Sequence, residues 1–169
     1  QLQTLSASTD MEVVIIRPPL VYGPGVKANF HNLISWLHRG IPLPLAAINN
    51  KRSLLGLDNL ISLIITCIEH PSAAGNIFMV SDNQDLSTPQ LLQEVAHALN
   101  QQARLFSLPE SVLRMAAKTL GKEQALHRLC TNLQVDISPT QRILNWQPTT
   151  TIQQELHKTV QAYLEKKPS

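Results

Sequence analysis

Excess charge, long apolar runs and ordered glycines are all scarce in this chain, and each scarcity removes a class of protein. Lys and Arg number 14 against 12 Asp and Glu, so 169 residues carry a net charge of only +2. No dense basic block provides a phosphate-tracking stripe, which argues against a nucleic-acid surface. Lys166-Lys167 reads instead as the solvated end of a terminal helix. No apolar run approaches the roughly 20 residues that span a bilayer, and no charged flank leads into an apolar signal segment. Cys67 and Cys130 sit in apolar surroundings without ligand spacing, as reduced core cysteines do, and His31, His38, His70, His97, His127 and His157 have no metal spacing either. The expectation is a cytoplasmic protein with no metal and with neither a nucleic acid nor a membrane as partner. No Gly-x-x-Gly-x-x-Gly follows an initial strand, so these residues lack the turn that cradles a dinucleotide's phosphates.

What is present is an α/β pattern. Hydrophobic residues make up 43% of an 18.8 kDa chain, enough to bury a core. Residues 12–25 read EVVIIRPPLVYGPG. Val13, Val14, Ile15 and Ile16 have the composition of a buried parallel strand. Pro18 to Gly25 then shape a loop at its carboxyl end, where open α/β sheets bind ligands. Only eleven residues precede Glu12, too few for the other strands such a sheet needs, so the chain reads as truncated.

Helical spacing of Phe30, Leu33, Ile34 and Leu37 predicts a packed helix stopped by Gly40, with His31 and His38 toward its edge. Leu43–Ile48 and Arg52–Leu55 are expected as short strands around an Asn49-Asn50 turn. Asp58 is expected to cap a largely buried helix carrying Leu60, Ile61, Leu63, Ile64, Ile65 and Ile68. Ile77–Val80 reads as a buried strand. Ser87 or Thr88 can cap a helix over Pro89–Leu99 with Leu91, Leu92, Val95 and Leu99 as its stripe. A strand over Arg104–Leu108, helical segments from Pro109 toward Leu120 and over Glu123–Leu129, and an extended Asn132–Val135 follow. A short helix over Pro139–Leu144 and a closing helix over Ile152–Leu164 complete the chain. Trp146 reads as a core anchor. The sequence contains no internal repeat.

Arg17-Pro18-Pro19-Leu20-Val21-Tyr22-Gly23-Pro24-Gly25 resembles the RPxxVYGPG segment of the extended short-chain dehydrogenase/reductases, the NAD-dependent sugar-nucleotide epimerase/dehydratase family. The pieces that follow keep that family's order: Asn29-Phe30, Arg39-Gly40 with Pro42-Leu43-Pro44-Leu45, Asn50-Lys51-Arg52-Ser53, Asp58-Asn59-Leu60, Gly75-Asn76-Ile77-Phe78 and Leu144-Asn145-Trp146-Gln147-Pro148. The resemblance implies an α/β chain, the C-terminal part of an extended short-chain dehydrogenase/reductase. Residues 1–26 would be a terminal fragment of the dinucleotide-binding domain. Residues 27–169 would be mostly the small mixed α/β substrate-binding domain, interleaved with the last Rossmann elements around 57–81.

The family's proton-transferring Tyr and Lys, four residues apart, have no counterpart here. Tyr22 and Tyr163 are the two tyrosines, and Lys27 lies five beyond Tyr22. The resemblance therefore puts the catalytic pair upstream of Gln1, in a helix ending over residues 1–7, and assigns no catalytic residue to this chain.

Arg52 is the foremost candidate for substrate. A guanidinium fork can hold two phosphates bidentately, and the family has an arginine here against the diphosphate. Asn29, at a helix start whose amides form a natural phosphate seat, matches a family Asn that contacts the same diphosphate; capping is its bland role. Arg128 matches a second phosphate-holding arginine, with surface charge or a bond to Asp136 as the alternative. Leu45, with Ala46-Ala47, lies where the family strand borders the nucleobase. Pro18, Pro19, Leu20 and Val21 are expected to wall the nicotinamide. Leu20 replaces an Asn that many relatives use on substrate, and an aliphatic side chain cannot make those hydrogen bonds. Tyr22 either closes the site or is buried structurally. Asp58 is read as a cap or loop anchor, not an acid.

The function implied is the nucleotide-sugar-binding portion of a UDP-glucose 4-epimerase-like enzyme using NAD or NADP in the intact parent protein, on a UDP-hexose or UDP-N-acetylhexosamine. Two alternatives stand beside it: a nucleotide-sugar 4-ketoreductase of surface-polysaccharide synthesis, and a non-catalytic sugar-nucleotide-binding domain. The implied partners are the UDP-sugar and the missing N-terminal Rossmann half. Homodimerisation is left open.

Overall fold

The computed structural model describes residues 11–119, 121 and 123–165. The helix end expected over 1–7, Leu120 and Lys166-Lys167 lie outside them. Five short strands and seven helices are described: β1 (Ile15–Arg17), β2 (Leu20–Tyr22), α1 (Ala28–His38), β3 (Arg52–Gly56), α2 (Leu57–Glu69), β4 (Ile77–Met79), β5 (Asp85–Leu86), α3 (Thr88–Ala98), α4 (Glu110–Thr119), α5 (Glu123–Cys130), α6 (Ser138–Leu144) and α7 (Ile152–Glu165).

Strand β1 pairs in parallel with β4, Ile16 opposite Phe78. Strand β3 is held on both edges, by β2 in parallel (Leu20 opposite Leu54) and by β5 antiparallel (Arg52 opposite Leu86). A parallel bridge from Leu133 extends this second sheet at Arg52.

Two clusters form the core. In the first, the predicted stripe of α1 (Phe30, Leu33, Ile34, Leu37) meets α3 through Leu92 and Val95, and α7 through Leu156 and Val160. Full burial of each such side chain contributes about 1.5–3 kcal/mol. The second cluster packs Leu55, Leu63, Phe78, Val80 and Leu144 around Trp146. Trp146 is the anchor expected of it: its indole N–H donates to Ser62 Oγ at 3.1 Å.

Local signals set several boundaries. Gly40 adopts φ +66° and its amide closes the end of α1 on the Leu37 carbonyl. Ser87 caps α3 in a reciprocal capping box with Gln90.

The structure corrects other expectations. Val13 to Ile16 are half-buried rather than buried, and the strand begins at Ile15, because among the described residues β1 pairs with β4 on one side and nothing lies on the other. Pro18-Pro19 interrupts the chain only briefly; Leu20–Tyr22 resumes as a strand where the expected loop would lie. Residues 43–48 and 52–55 do not form a hairpin, because both edges of β3 are taken by other elements. Leu43 instead makes a single bridge to Leu105, which is all that forms of the strand expected over 104–108. Gly56, not Asp58, occupies the cap position of α2. That helix is not largely buried: Asn59, Leu63 and Cys67 face inward, while Ile61, Ile64, Ile65 and Ile68 are 41–79% exposed on the opposite side. Cys67 is buried but Cys130 is only half-buried.

Candidate functional site

Arg52 opens β3, half-buried, with its main chain zipped between two partners. The Leu133 amide donates to the Lys51 carbonyl at 2.9 Å and the Ser53 amide to the Leu133 carbonyl at 2.7 Å. Its Nη1 donates to the carbonyl of Arg128, and to that of Thr131 at 3.4 Å. Those carbonyls belong to the carboxyl end of α5, where a helix leaves its last oxygens unpaired and carries partial negative charge. Burial lowers the guanidinium pKa from its ordinary value, but arginine remains charged at any physiological pH.

Two more side chains serve the same helix end. Asn50 is buried, and its Nδ2 donates to the carbonyls of Leu129 at 3.0 Å and Thr131 at 3.2 Å. Its Oδ1 accepts from the Thr88 amide at 2.8 Å, and the Thr88 hydroxyl donates to the Leu129 carbonyl at 2.6 Å. Asn50 therefore ties β3, the start of α3 and the end of α5 together.

The structure joins Arg52 to Arg128 through the latter's main chain, with the Arg128 side chain exposed. Asp136 does not hold it; its carboxylate accepts from the Ser138 amide at 2.9 Å. Asn29 lies inside the first turn of α1, exposed, while Lys27 takes the cap position without a side-chain bond. The expected Asn29 cap is thus not formed, because the helix starts two residues earlier, with Lys27 at the cap. Leu45 is buried in the first core cluster, and Ala47 beside it is exposed. Pro18 is exposed and Pro19 half-buried at the carboxyl end of β1. Leu20 is 43% exposed, while Val21 packs against the second cluster.

A buried polar network, missed by sequence reading, lies at the other end of β3. Tyr22 is buried, and its hydroxyl donates to Asp82 Oδ2 at 2.9 Å. Asp82 Oδ1 accepts from the Gly56 amide and from Asn59 Nδ2, both at 2.8 Å. Asn59 Oδ1 in turn accepts from the amides of Thr149 at 2.8 Å and Thr150 at 3.0 Å, and the Thr150 hydroxyl donates to Glu155 Oε1 at 3.0 Å. Burial pushes the carboxyl pKa values of Asp82 and Glu155 up, and for Asp82 it outweighs the three donors pulling down. Burial and the neighbouring Asp82 likewise raise the Tyr22 phenol. Asp58 pairs with Lys158 at the surface, which lowers its carboxyl pKa. Asp82 carried one signal, its place after β4 at the carboxyl end of a parallel strand.

Grooves of about 440 Å³ between α1 and α7, flanked by Lys27, His31, Arg39 and Tyr163, and about 250 Å³ between α4 and α5 do not include Arg52. Among the described residues no cluster of three or more His, Cys, Asp or Glu could hold a metal ion. No helix among them is long and apolar enough to cross a membrane.

Solved structures share this architecture. UDP-glucuronic acid 4-epimerase from Bacillus cereus, in complex with NAD, superposes with TM-score 0.72 over 97% of this chain and 48% of that one, at 17% identity. RMD from Pseudomonas aeruginosa, complexed with NADPH, gives TM-score 0.69 over 97% of this chain and 52% of that one, also at 17% identity. The fold these structures share is a Rossmann-like α/β sheet with a small mixed α/β domain, consistent with part of an extended short-chain dehydrogenase/reductase fold. In sequence, UDP-glucose 4-epimerase of Vibrio cholerae is 46% identical over 166 residues, 98% of this chain and 51% of that protein. The chain thus carries the family resemblance of the NAD-dependent sugar-nucleotide epimerases and dehydratases and is UDP-glucose 4-epimerase-like. It spans about half the length of the curated relatives it matches first. No protein-family profile matches it.

Proposed function

We propose that this chain is the nucleotide-sugar-binding portion of an NAD(P)-dependent sugar-nucleotide 4-epimerase acting on a UDP-hexose or UDP-N-acetylhexosamine. The observation that carries the reading is the 46% identity to a UDP-glucose 4-epimerase along nearly the whole chain. The tethered Arg52 guanidinium supports it. With Nη1 bonded to helix carbonyls, the Nε and Nη2 edge is a fork for one diphosphate oxygen pair. Asn29 and the Arg128 side chain, both exposed, are the companion phosphate contacts, and Leu45 with its neighbours borders the base.

In such an enzyme this chain binds and orients substrate so that the sugar's C4 hydrogen faces the nicotinamide. Arg52 neutralises the diphosphate, and Pro18, Pro19, Leu20 and Val21 wall the nicotinamide of the intact parent's cofactor. The residues present do not fit NAD(P) by themselves, because no glycine turn cradles its phosphates. Cofactor binding and proton transfer therefore belong to the intact parent, and the fragment alone is inactive.

The reading includes a second polypeptide half, a Rossmann portion preceding residues 1–26, packed on this one. Ile61, Ile64, Ile65 and Ile68 form an apolar stripe about 100° wide on the outer side of α2. The parallel pair β1–β4 also lies open, with Ile77 and Met79 exposed, whereas parallel sheets are covered on both faces. A cytoplasmic location and a role in polysaccharide synthesis belong to the same proposal. One observation favours a 4-ketoreductase as the second reading: Leu20 is exposed at the site and offers substrate no hydrogen bond.

Calorimetric titration with UDP-N-acetylglucosamine, UDP and the thymidine equivalent tests the proposal. Saturable binding that prefers uridine compounds and is lost in Arg52→Ala is expected. Folded protein that binds none of them, or binds equally without Arg52, overturns it.

A further inference from the structure

We infer that Asn50 is a positioning residue for Arg52: by holding the carboxyl end of α5 it fixes the carbonyls that orient the guanidinium. The inference rests on Arg52 serving the diphosphate as proposed above. Arg52 Nη1 uses the carbonyls of Arg128 and Thr131. Asn50 Nδ2 holds Thr131 and the intervening Leu129, and the Thr88 hydroxyl holds Leu129 again. Thr131 is thus a shared acceptor, and the Arg128 carbonyl directly precedes one held from two sides.

The chain leaving α5 is tied to β3 by the Leu133 main-chain bonds and by the Lys51 amide on Asn132 Oδ1, and Leu129 packs against the first core cluster, but the side chains that hold carbonyls at the end of α5 beside those Arg52 uses are Asn50 and Thr88. Helix α5 packs mainly on α4, and none of its residues is fully buried. An arginine side chain loses much rotamer freedom when ordered, so one ordered before the ligand arrives binds more tightly. Asn50 is suited to that task because it is buried and its amide both donates and accepts: two N–H bonds reach α5 while Oδ1 takes the Thr88 amide.

Two near-isosteric variants separate these bonds. Asn50→Asp keeps the acceptor for the Thr88 amide and replaces both donors by oxygen. Thr88→Val removes only the hydroxyl bond to Leu129. The first readout is the side-chain ¹⁵N–¹H spectrum of Arg52 without ligand, assigned by its loss in Arg52→Lys. A tethered guanidinium shows slowed rotation about Cζ–Nη, and both variants are expected to restore fast rotation while the backbone spectrum outside α5 and its contacts is retained. The second readout is UDP affinity, expected to fall about tenfold in Asn50→Asp and a few-fold in Thr88→Val, one tenfold step being about 1.4 kcal/mol.

An unchanged Arg52 signal in both variants overturns the inference. So does loss of UDP binding in Arg52→Ala with wild-type affinity in Asn50→Asp and Thr88→Val, a result that leaves the diphosphate role intact. Wild-type UDP affinity in Arg52→Ala overturns the diphosphate reading itself. If Asn50→Asp does not fold, Thr88→Val decides through the same two readouts.

Discussion

Replacing Asn59 by alanine should remove the largest single share of the buried polar network. Asn59 is fully buried, and its amide nitrogen donates to Asp82 Oδ1 at 2.8 Å and to the Thr150 carbonyl at 3.0 Å. Its oxygen accepts from two consecutive amides, those of Thr149 and Thr150. The bond to Asp82 is charge-assisted and worth about 1.5–3 kcal/mol, and the bond to the half-buried Thr150 carbonyl adds about 1 kcal/mol. Thr149 is exposed, so water can take over its amide and that loss is small. The sum is about 2.5–4 kcal/mol, toward the upper end for single substitutions. Urea unfolding followed by circular dichroism measures it as a fall in midpoint at constant slope. Amide exchange at Thr149 and Thr150 should accelerate in the same variant. A loss below about 1 kcal/mol would refute the reasoning, since it would mean that water or a local shift satisfies Asp82 without Asn59.

Other expectations follow from the same contacts. Gly56→Ala would bring a Cβ to 2.5 Å from Glu155 Cγ, and Glu155 is fully buried, so the variant should lose about 1–3 kcal/mol in urea unfolding; an unchanged midpoint would contradict the close approach. Asp82 and Glu155 have folded pKa values above their ordinary 3.8 and 4.5, so the stability they contribute is fully present below those values and is lost as pH rises through the folded ones. Urea midpoints should therefore fall from about pH 4 toward neutrality, and Glu155→Gln should flatten that slope; an equal slope in both proteins would count against a raised Glu155. Burial raises the Cys67 thiol and hides it, so maleimide labelling in native buffer should reach the half-buried Cys130 first, as peptide mapping would show.

Most helices were legible because their evidence is local. The 3.6-residue spacing of Phe30, Leu33, Ile34 and Leu37, the Ser87–Gln90 box and the Pro139 start each act within one or two turns. Helix α2 shows where such evidence stops. Its isoleucines mark an apolar face, but periodicity does not say what lies against that face, and no described element of this chain covers it. Arg52 stood out in the sequence as the candidate residue, yet its surroundings were misread as a hairpin. The partners of β3 come from residues 20–22, 85–86 and 133, and strand pairing over such separations leaves no short-range mark. The network was invisible for the same reason: Tyr22, Asn59, Asp82, Thr150 and Glu155 are ordinary polar residues until the fold brings them together.

Strand β3 carries the two polar assemblies at its opposite ends. Arg52 opens it against α5, and Gly56 closes it against Asp82 and Glu155. At a rise of about 3.3 Å per residue the two ends lie about 13 Å apart. Leu54 and Leu55 between them are buried, so the strand itself cannot shift without disturbing both core clusters. Sites that far apart with no shared partner contribute additively. The network around Asp82 therefore sets how firmly α7 and the 149–151 turn are held, while Asn50 and Thr88 set how the Arg52 fork is presented. Asn59→Ala and Asn50→Asp combined should sum in stability, and the first should leave the Arg52 side-chain signal as it is in the parent chain. A coupling above about 0.5 kcal/mol between them would show β3 transmitting strain from one end to the other.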